Sequence, residues 1–244
     1  MTNGIIKNVR WLIISLPLFY QIDKENYNEQ KFLNHTYPLI SLECPICHKA
    51  HPPRFYLFVR RTYKVKQDEN NQAVIVVIKV PRFFCENNYT ERKLTGKKKQ
   101  YTITILPGFL VPYSIIPLDD IQEAANRYIS NPETNQQTAA FSIHCENTLS
   151  FRLHFSRIKN RLSEWIAFIT RLLIDLGGEL KGGNIKNVQH YENPLQANWK
   201  RFKILVNHYF YLYSRIPGAQ VIKERFYYQY IHAVLCQNKM GLGP

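Results

Sequence analysis

No run of this 244-residue sequence is long and apolar enough to cross a bilayer. The nearest candidate, Trp11 to Tyr20, covers ten residues, is interrupted by Pro17 and lacks a small-x-small cleavage site, so it reads as a buried strand and not as a signal peptide. No phosphate-cradling glycine loop is present: Gly177-Gly178 and Gly182-Gly183 follow helical sequence instead of introducing it. Carboxylates are scarce, 18 against 32 Lys and Arg. Beyond Glu123 the acids are Glu133, Glu146, Glu164, Asp175, Glu179, Glu192 and Glu224, mostly in helical or linker sequence. Two-metal phosphoryl transfer needs several carboxylates projecting from a sheet, so no residue is assigned a catalytic role and an enzyme is not the leading expectation. Cysteine is sparse and odd in number (Cys44, Cys47, Cys85, Cys145, Cys236), which is not the spacing of a secreted disulfide framework; a reducing cytosol fits better.

Basic charge is what the chain has in excess. The formal net charge is +14, enough to attract any polyanion without further design. Its distribution is uneven: residues 1–100 hold 17 basic and 8 acidic side chains, 101–150 hold 1 and 5, and 151–244 hold 14 and 5. An acidic middle between two basic ends points to positive surfaces at particular places.

The pattern of residues is that of an α+β protein. A strand segment at 5–20 and a polar connection or short helix at 21–35 lead to Cys44-Pro45-Ile46-Cys47. Arg54 to Val65 and Ala73 to Phe84 are rich in aromatic and β-branched residues and flank a polar turn, the signature of a long hairpin. The run Val74 to Ile78 is apolar at every position, which predicts cover on both faces. Glu91 to Gln100, with Lys97-Lys98-Lys99, reads as an exposed basic loop, and Tyr101 to Leu106 as a third strand. From Leu118 the period becomes helical: 119–129, 135–143, 148–162, a further helix capped by Ser163 and ended by Gly177-Gly178, then 195–214 and 219–236. The expected organisation is a β-rich, zinc-ribbon-like module at 1–112, a helix-turn-helix module at 113–178, and a linker with a helical C-terminal module at 179–244.

The cysteines suggest a metal. A zinc ribbon supplies four soft or borderline ligands, usually from two Cys-x-x-Cys knuckles at strand ends. Here Cys44 and Cys47 form a complete knuckle, whereas the second is Cys85-Glu86-Asn87-Asn88, with Asn88 where the last thiolate belongs. His51, four residues past Cys47, or His48 completes a Cys3His set; His144 and Cys145 are sequence-remote candidates. The alternative is a degenerate ribbon that stands on its apolar faces without zinc.

Three helices in 118–162, the third of them basic, match a helix-turn-helix whose third helix enters the major groove of duplex DNA. Opposite its apolar stripe lie Arg152, Ser156 and Lys159, flanked by Arg157 and Arg161, as candidate contacts to phosphates or guanine edges. Lys97, Lys98, Lys99, Lys200 and Arg201 are candidate phosphate contacts. The aromatic stripes around Trp199–Tyr213 and Phe226–Tyr230 read mainly as helix-packing faces.

Cys44-Pro45-Ile46-Cys47, the strand end Arg82-Phe83-Phe84-Cys85, and Leu106-Pro107-Gly108-Phe109-Leu110-Val111-Pro112-Tyr113 running into the helix at 119–130 together resemble bacterial transposase-like proteins that join a zinc ribbon to a helix-turn-helix and accompany insertion elements. The resemblance covers about residues 40–165. It implies a cytoplasmic, nucleoid-associated DNA-binding protein of a mobile genetic element, a transposition accessory factor or regulator whose recombinase activity comes from a partner. Homo-oligomers are compatible with it, and no membrane association is expected. The alternatives are an assembly subunit of a DNA recombination complex, docking other proteins through its aromatic faces, and a small metal-dependent transposase or nuclease.

Overall fold

The computed structural model describes residues 11–14, 22, 24–66, 73–131, 133–141, 148–177, 193–219, 221–238 and 240–242. Among them the chain is a mixed α+β protein with seven α-helices and one four-stranded sheet. In order these are β1 (Trp11–Ile14), α1 (Glu29–Ile40), β2 (Arg54–Lys66), β3 (Ala73–Phe84), α2 (Glu86–Thr95), β4 (Thr102–Pro107), α3 (Leu118–Ser130), α4 (Gln136–Phe141), α5 (Thr148–Asp175), α6 (Pro194–Tyr213) and α7 (Tyr227–Gln237), the last preceded by a 3-10 turn at Glu224–Phe226. No described helix is long and apolar enough to cross a membrane.

The sheet order is β1-β4-β3-β2. β2, β3 and β4 are antiparallel, and β1 joins the edge parallel to β4. The β2–β3 ladder runs from Arg54↔Phe84 to Lys66↔Ala73, with a bulge between Phe55 and Leu57. β4 pairs only with Arg82–Phe84, so most of the hairpin projects beyond it as a two-stranded arm. Tyr63, Ile78 and Val80 are buried there with Phe32 of α1 and Phe109. On the same arm Ile75 is 63% and Val77 55% exposed. The expectation that Val74–Ile78 is covered on both faces is therefore corrected: α1 and the Phe109 segment cover one face, and no described element covers the other.

Two further expectations change. Glu91 to Gln100 is not all loop, because α2 occupies 86–95. Cys85 stands at its N-cap in extended geometry, Glu86 places a carboxylate in the first turn, and Gly96 ends it in the left-handed region at φ 68°; each is a local signal for helix boundaries. The helices at 148–162 and 163–176 are one 28-residue helix, α5. Phe151, Phe155, Ile158, Leu162, Trp165, Ile166, Ile169 and Leu173 are all buried on one stripe that passes Ser163 without a break in register. No Gly or Pro interrupts 148–175, and an exposed serine inside a helix costs only a few tenths of a kcal/mol, roughly, against alanine. The stripe outweighs the capping signal. The C-terminal helix is also shorter than expected, starting at Tyr227 and not at 219.

The core is in two parts. One lies under the sheet and is built from Phe32, Tyr63, Val80, Phe83, Ile105 and Phe109. The other is helical, with the α5 stripe against Trp199, Phe202, Val206 and Phe210 of α6. α7 is shared: Ile231 and Leu235 enter the helical core, while Ala233 enters the sheet core. Gly108, just past β4, lets α7 come this close, since a Cβ there would meet that of Gln229 at 3.2 Å.

Candidate metal centre and basic surfaces

The knuckle forms because the chain turns back on itself immediately after α1. The amide N–H of His48 donates to the Cys44 carbonyl (2.8 Å), that of Cys44 donates to the Lys49 carbonyl (3.0 Å), and His48 takes a left-handed φ of 57° to make the corner. The turn aims backbone N–H groups at sulfur: those of Ile46 and Cys47 at Cys44, and that of Lys49 at Cys47. Cys85 comes from the end of β3, and the Asn88 amide donates to its sulfur at 3.5 Å from the first turn of α2. Donors pointed at a sulfur stabilise the thiolate, the form that binds metal.

Cys44 Sγ, Cys47 Sγ, His51 Nε2 and Cys85 Sγ all lie within 4.8 Å of one another. His51 Nε2 is 3.0 Å from Cys47 Sγ and 3.7 Å from Cys85 Sγ. A tetrahedral zinc with Zn–S of about 2.3 Å and Zn–N of about 2.0 Å separates its ligand atoms by about 3.5–3.8 Å. The four side chains are thus close enough to hold a metal ion, and the donor set fits zinc. The other ring nitrogen, Nδ1, lies 3.2 Å from the Pro52 carbonyl, so a proton there sets the tautomer that leaves Nε2 free as a donor to metal.

The three thiols differ. Burial pushes Cys85 up to about 12, reinforced by its sulfur neighbours Cys44 and Cys47. Burial also raises Cys44. For Cys47 burial acts in the same direction but is outweighed by the hydrogen bonds from His51, the Lys49 amide and the neighbouring thiols, which bring it down to about 7. Three thiols this close cannot all ionise unaided; a divalent cation at their centre reverses that preference.

Of the two nearby histidines only His51 faces the sulfurs. His48 is turned outward, its Nδ1 3.3 Å from Glu43 Oε1. His144 and Cys145 lie outside the described residues. Asn88 is buried, and its amide Nδ2 donates to the Gln100 carbonyl at 2.8 Å. It ties α2 to the start of β4 and does not replace a ligand. The expected second knuckle is instead the first turn of α2, and the fourth ligand comes from the first knuckle's own side.

The basic residues fall into two sets. Arg152, Ser156 and Lys159 are exposed along α5, which follows α3 and α4 in the chain. Arg157 and Arg161 on the same helix turn inward: they donate to the carbonyls of Leu242 (2.8 Å) and Gly241 (2.6 Å). Lys97 and Lys98 are exposed just past α2, while Lys99 pairs with Glu91. Lys200 is exposed on α6 and Arg201 half-buried. The aromatic stripes are largely packing faces: Trp199, Phe202, Tyr209, Phe210 and Phe226 are buried.

Two features have no counterpart in the sequence reading. The first is a latch at residues 240–242. Trp165, Arg161 and Arg157, spaced one helical turn apart on α5, donate in turn to the carbonyls of Met240 (2.7 Å), Gly241 and Leu242. From α7 the Leu235 carbonyl accepts from the Met240 amide at 2.7 Å. Only glycine fits at 241, because a Cβ would stand 1.9 Å from Cys236 Sγ. The spacing Trp165–Arg161–Arg157 is visible in the sequence, but its acceptors are bare carbonyls, which leave no signature. The second is a cleft of about 600 Å³ between α3, α6 and α7. In it Asn126 Oδ1 accepts from Trp199 Nε1 (3.2 Å) and Lys203 Nζ (2.9 Å), and Gln229 donates to Asp119 (3.2 Å).

Comparison of the chain with protein-family models, with curated proteins and with solved structures finds no match.

Proposed function

We propose that this protein is a zinc-stapled, duplex-DNA-binding protein, acting as an accessory factor or regulator of a mobile genetic element. The observation that carries the reading is the convergence of Cys44, Cys47, His51 and Cys85 on one point at the end of the β2–β3 hairpin. These residues would hold a structural zinc, with four protein ligands and no open position, so the metal would fix α1, the hairpin and α2 to one another and supply no reaction chemistry. The DNA half of the reading is supported by the +14 charge, by exposed Arg152, Ser156 and Lys159 on a long helix preceded by two short ones, and by the resemblance of residues 40–165 to transposase-like proteins.

The test is fluorescence anisotropy of the zinc-loaded full chain on duplex DNA from its own genetic neighbourhood and on a shuffled duplex, across a salt series. A preference of about 100-fold or more that survives near physiological salt, equivalent to about 2.7 kcal/mol, supports site-specific recognition. Arg152→Ala and Lys159→Ala should then relax the preference. Equal binding that disappears with salt overturns it.

A further inference from the structure

Beside the metal cluster the sheet carries a second built surface. Four aromatic rings form a continuous group there: Tyr56 lies 6.0 Å from Phe84, Phe84 lies 5.1 Å from Tyr89 and 6.0 Å from Tyr101, and Tyr89 lies 5.4 Å from Tyr101, all between ring centroids. Phe84 immediately precedes the ligand Cys85, and the Cys85 amide donates to the Tyr101 carbonyl (2.8 Å). A metal at the cluster would therefore hold the backbone that carries two of the four rings. Packing does not bury the group: Tyr56 is 56% exposed, and the other three remain partly open.

The rim is cationic. The Arg92 guanidinium lies over the Tyr101 ring at 5.1 Å and the Lys93 ammonium over the Tyr89 ring at 4.6 Å. Lys97 and Lys98 follow on the turn into β4 and are exposed. The two acids of α2 are already engaged, Glu86 by Arg54 (3.1 Å) and Glu91 by Lys99, so Arg92, Lys93, Lys97 and Lys98 give the patch its charge.

An open tyrosine ring, Tyr56, next to two rings that each carry a cation on one face, matches a chain of alternating anions and flat heterocycles. Bases stack on aromatic side chains, and phosphates are drawn to lysine and arginine. A base in a duplex is already stacked on both sides and has no free face to offer an exposed ring such as Tyr56, whereas an unpaired base has. We propose that the Tyr56–Phe84–Tyr89–Tyr101 surface binds a single-stranded segment of nucleic acid, with Tyr56 as the open stacking platform and Arg92, Lys93, Lys97 and Lys98 as phosphate contacts. This inference deepens the DNA-binding reading above, and rests on it for the class of partner: the substrate is a duplex with an unpaired stretch, α5 meeting the duplex and the sheet surface the single strand.

The experiment is anisotropy of the zinc-loaded full chain with a labelled single strand, an abasic strand of the same length and a duplex. The intact strand should bind at least about 5-fold tighter than the abasic one. Tyr56→Ala should weaken intact-strand binding by about 5- to 100-fold, while Tyr56→Phe retains it. Duplex affinity, zinc content and thermal midpoint should be the same in both variants. Lys93→Glu, on the exposed face of α2, is the second variant and should weaken intact and abasic strands alike. Equal affinity for intact and abasic strands, or Tyr56→Ala binding like the parent, overturns the proposal. The two readings fail separately: loss of duplex preference with Tyr56-dependent strand binding removes the first and leaves the second.

Discussion

The two basic regions of this chain use their charge in opposite ways. On α5, Arg157 and Arg161 point into the protein and are satisfied by the carbonyls of residues 241 and 242. Past α2, Lys97 and Lys98 remain exposed at the surface. The difference lies in what is within reach. An irregular segment laid along α5 offers a row of carbonyls unpaired by any helix or sheet, and a buried carbonyl without a donor costs about 1–3 kcal/mol. The turn after α2 is open, and its backbone is already tied down by Asn88. Positive charge in a sequence is therefore not yet positive charge on a surface.

That comparison can be broken at several points. The largest effect belongs to the metal cluster. Removing zinc with a strong chelator, or changing Cys85 to Ser, should destabilise the sheet half by several kcal/mol, because a structural zinc contributes directly to folding. Thermal denaturation with and without chelator measures this, and an unchanged midpoint would contradict it.

Next comes acid. His154 and His232 are buried in the helical half, and burial lowers them to about 4 and about 3; Arg157 adds to the effect on His154, and His154 to that on His232. His154 Nε2 is 3.0 Å from Ser114 Oγ, and His232 Nε2 faces Cys236 Sγ at 3.4 Å and the Leu242 amide. In the unfolded chain both take up a proton near pH 6.5 or so. Between there and pH 4 the unfolded state holds more protons than the folded one, so this contribution is fully present above about pH 6.5 and is lost as pH falls. The unfolding free energy, from urea curves followed by tryptophan fluorescence, should fall by about 3 kcal/mol for each histidine across that window, and His232→Gln should flatten the slope.

The arginines come third and bear most directly on the contrast. Arg157→Ala or Arg161→Ala should each cost about 2 kcal/mol of stability, the loss of a charged hydrogen bond to a part-buried carbonyl, with sequence preference on DNA unchanged. Arg152→Ala and Lys159→Ala should do the reverse. If Arg157→Ala leaves stability untouched and abolishes DNA binding, the latch is not where that arginine works.

Smaller still, Asn88→Cys should not create a second ligand pair. It should leave the metal stoichiometry as it was and cost about 1 kcal/mol for the lost bond to the Gln100 carbonyl, read by metal analysis and a denaturation curve. The smallest effect is that of Lys97→Ala, which should leave sequence preference alone and reduce the salt slope of nucleic-acid binding by about 1.

Much of the sheet half was legible because its signals are local. The hairpin at 54–66 and 73–84, the strand at 102–107 and the Cys44–Cys47 knuckle each sit where composition and spacing place them. His51 stood out only as a near neighbour in sequence; its selection over His48 depends on the left-handed corner at His48 that turns that ring toward Glu43. Asn88 stands where a ribbon carries its last thiolate, and over the same four residues the ribbon pattern competes with a helix-capping pattern, which prevails. In the helical half, the periodic stripes predicted which residues are buried and Gly177-Gly178 where the helix stops, but not that α5 runs unbroken through Ser163, since serine is as much at home inside a helix as before one. The latch escaped altogether, because backbone carbonyls carry no residue type.

The most direct test of the account is X-ray absorption at the zinc edge on the purified full chain, paired with metal analysis. The account predicts one zinc per chain with three sulfur ligands at about 2.3 Å and one nitrogen at about 2.0 Å, the nitrogen disappearing in His51→Ala while His48→Ala leaves the shell intact. A chain without stoichiometric metal, or a shell of three sulfurs that His51→Ala does not alter, would contradict it.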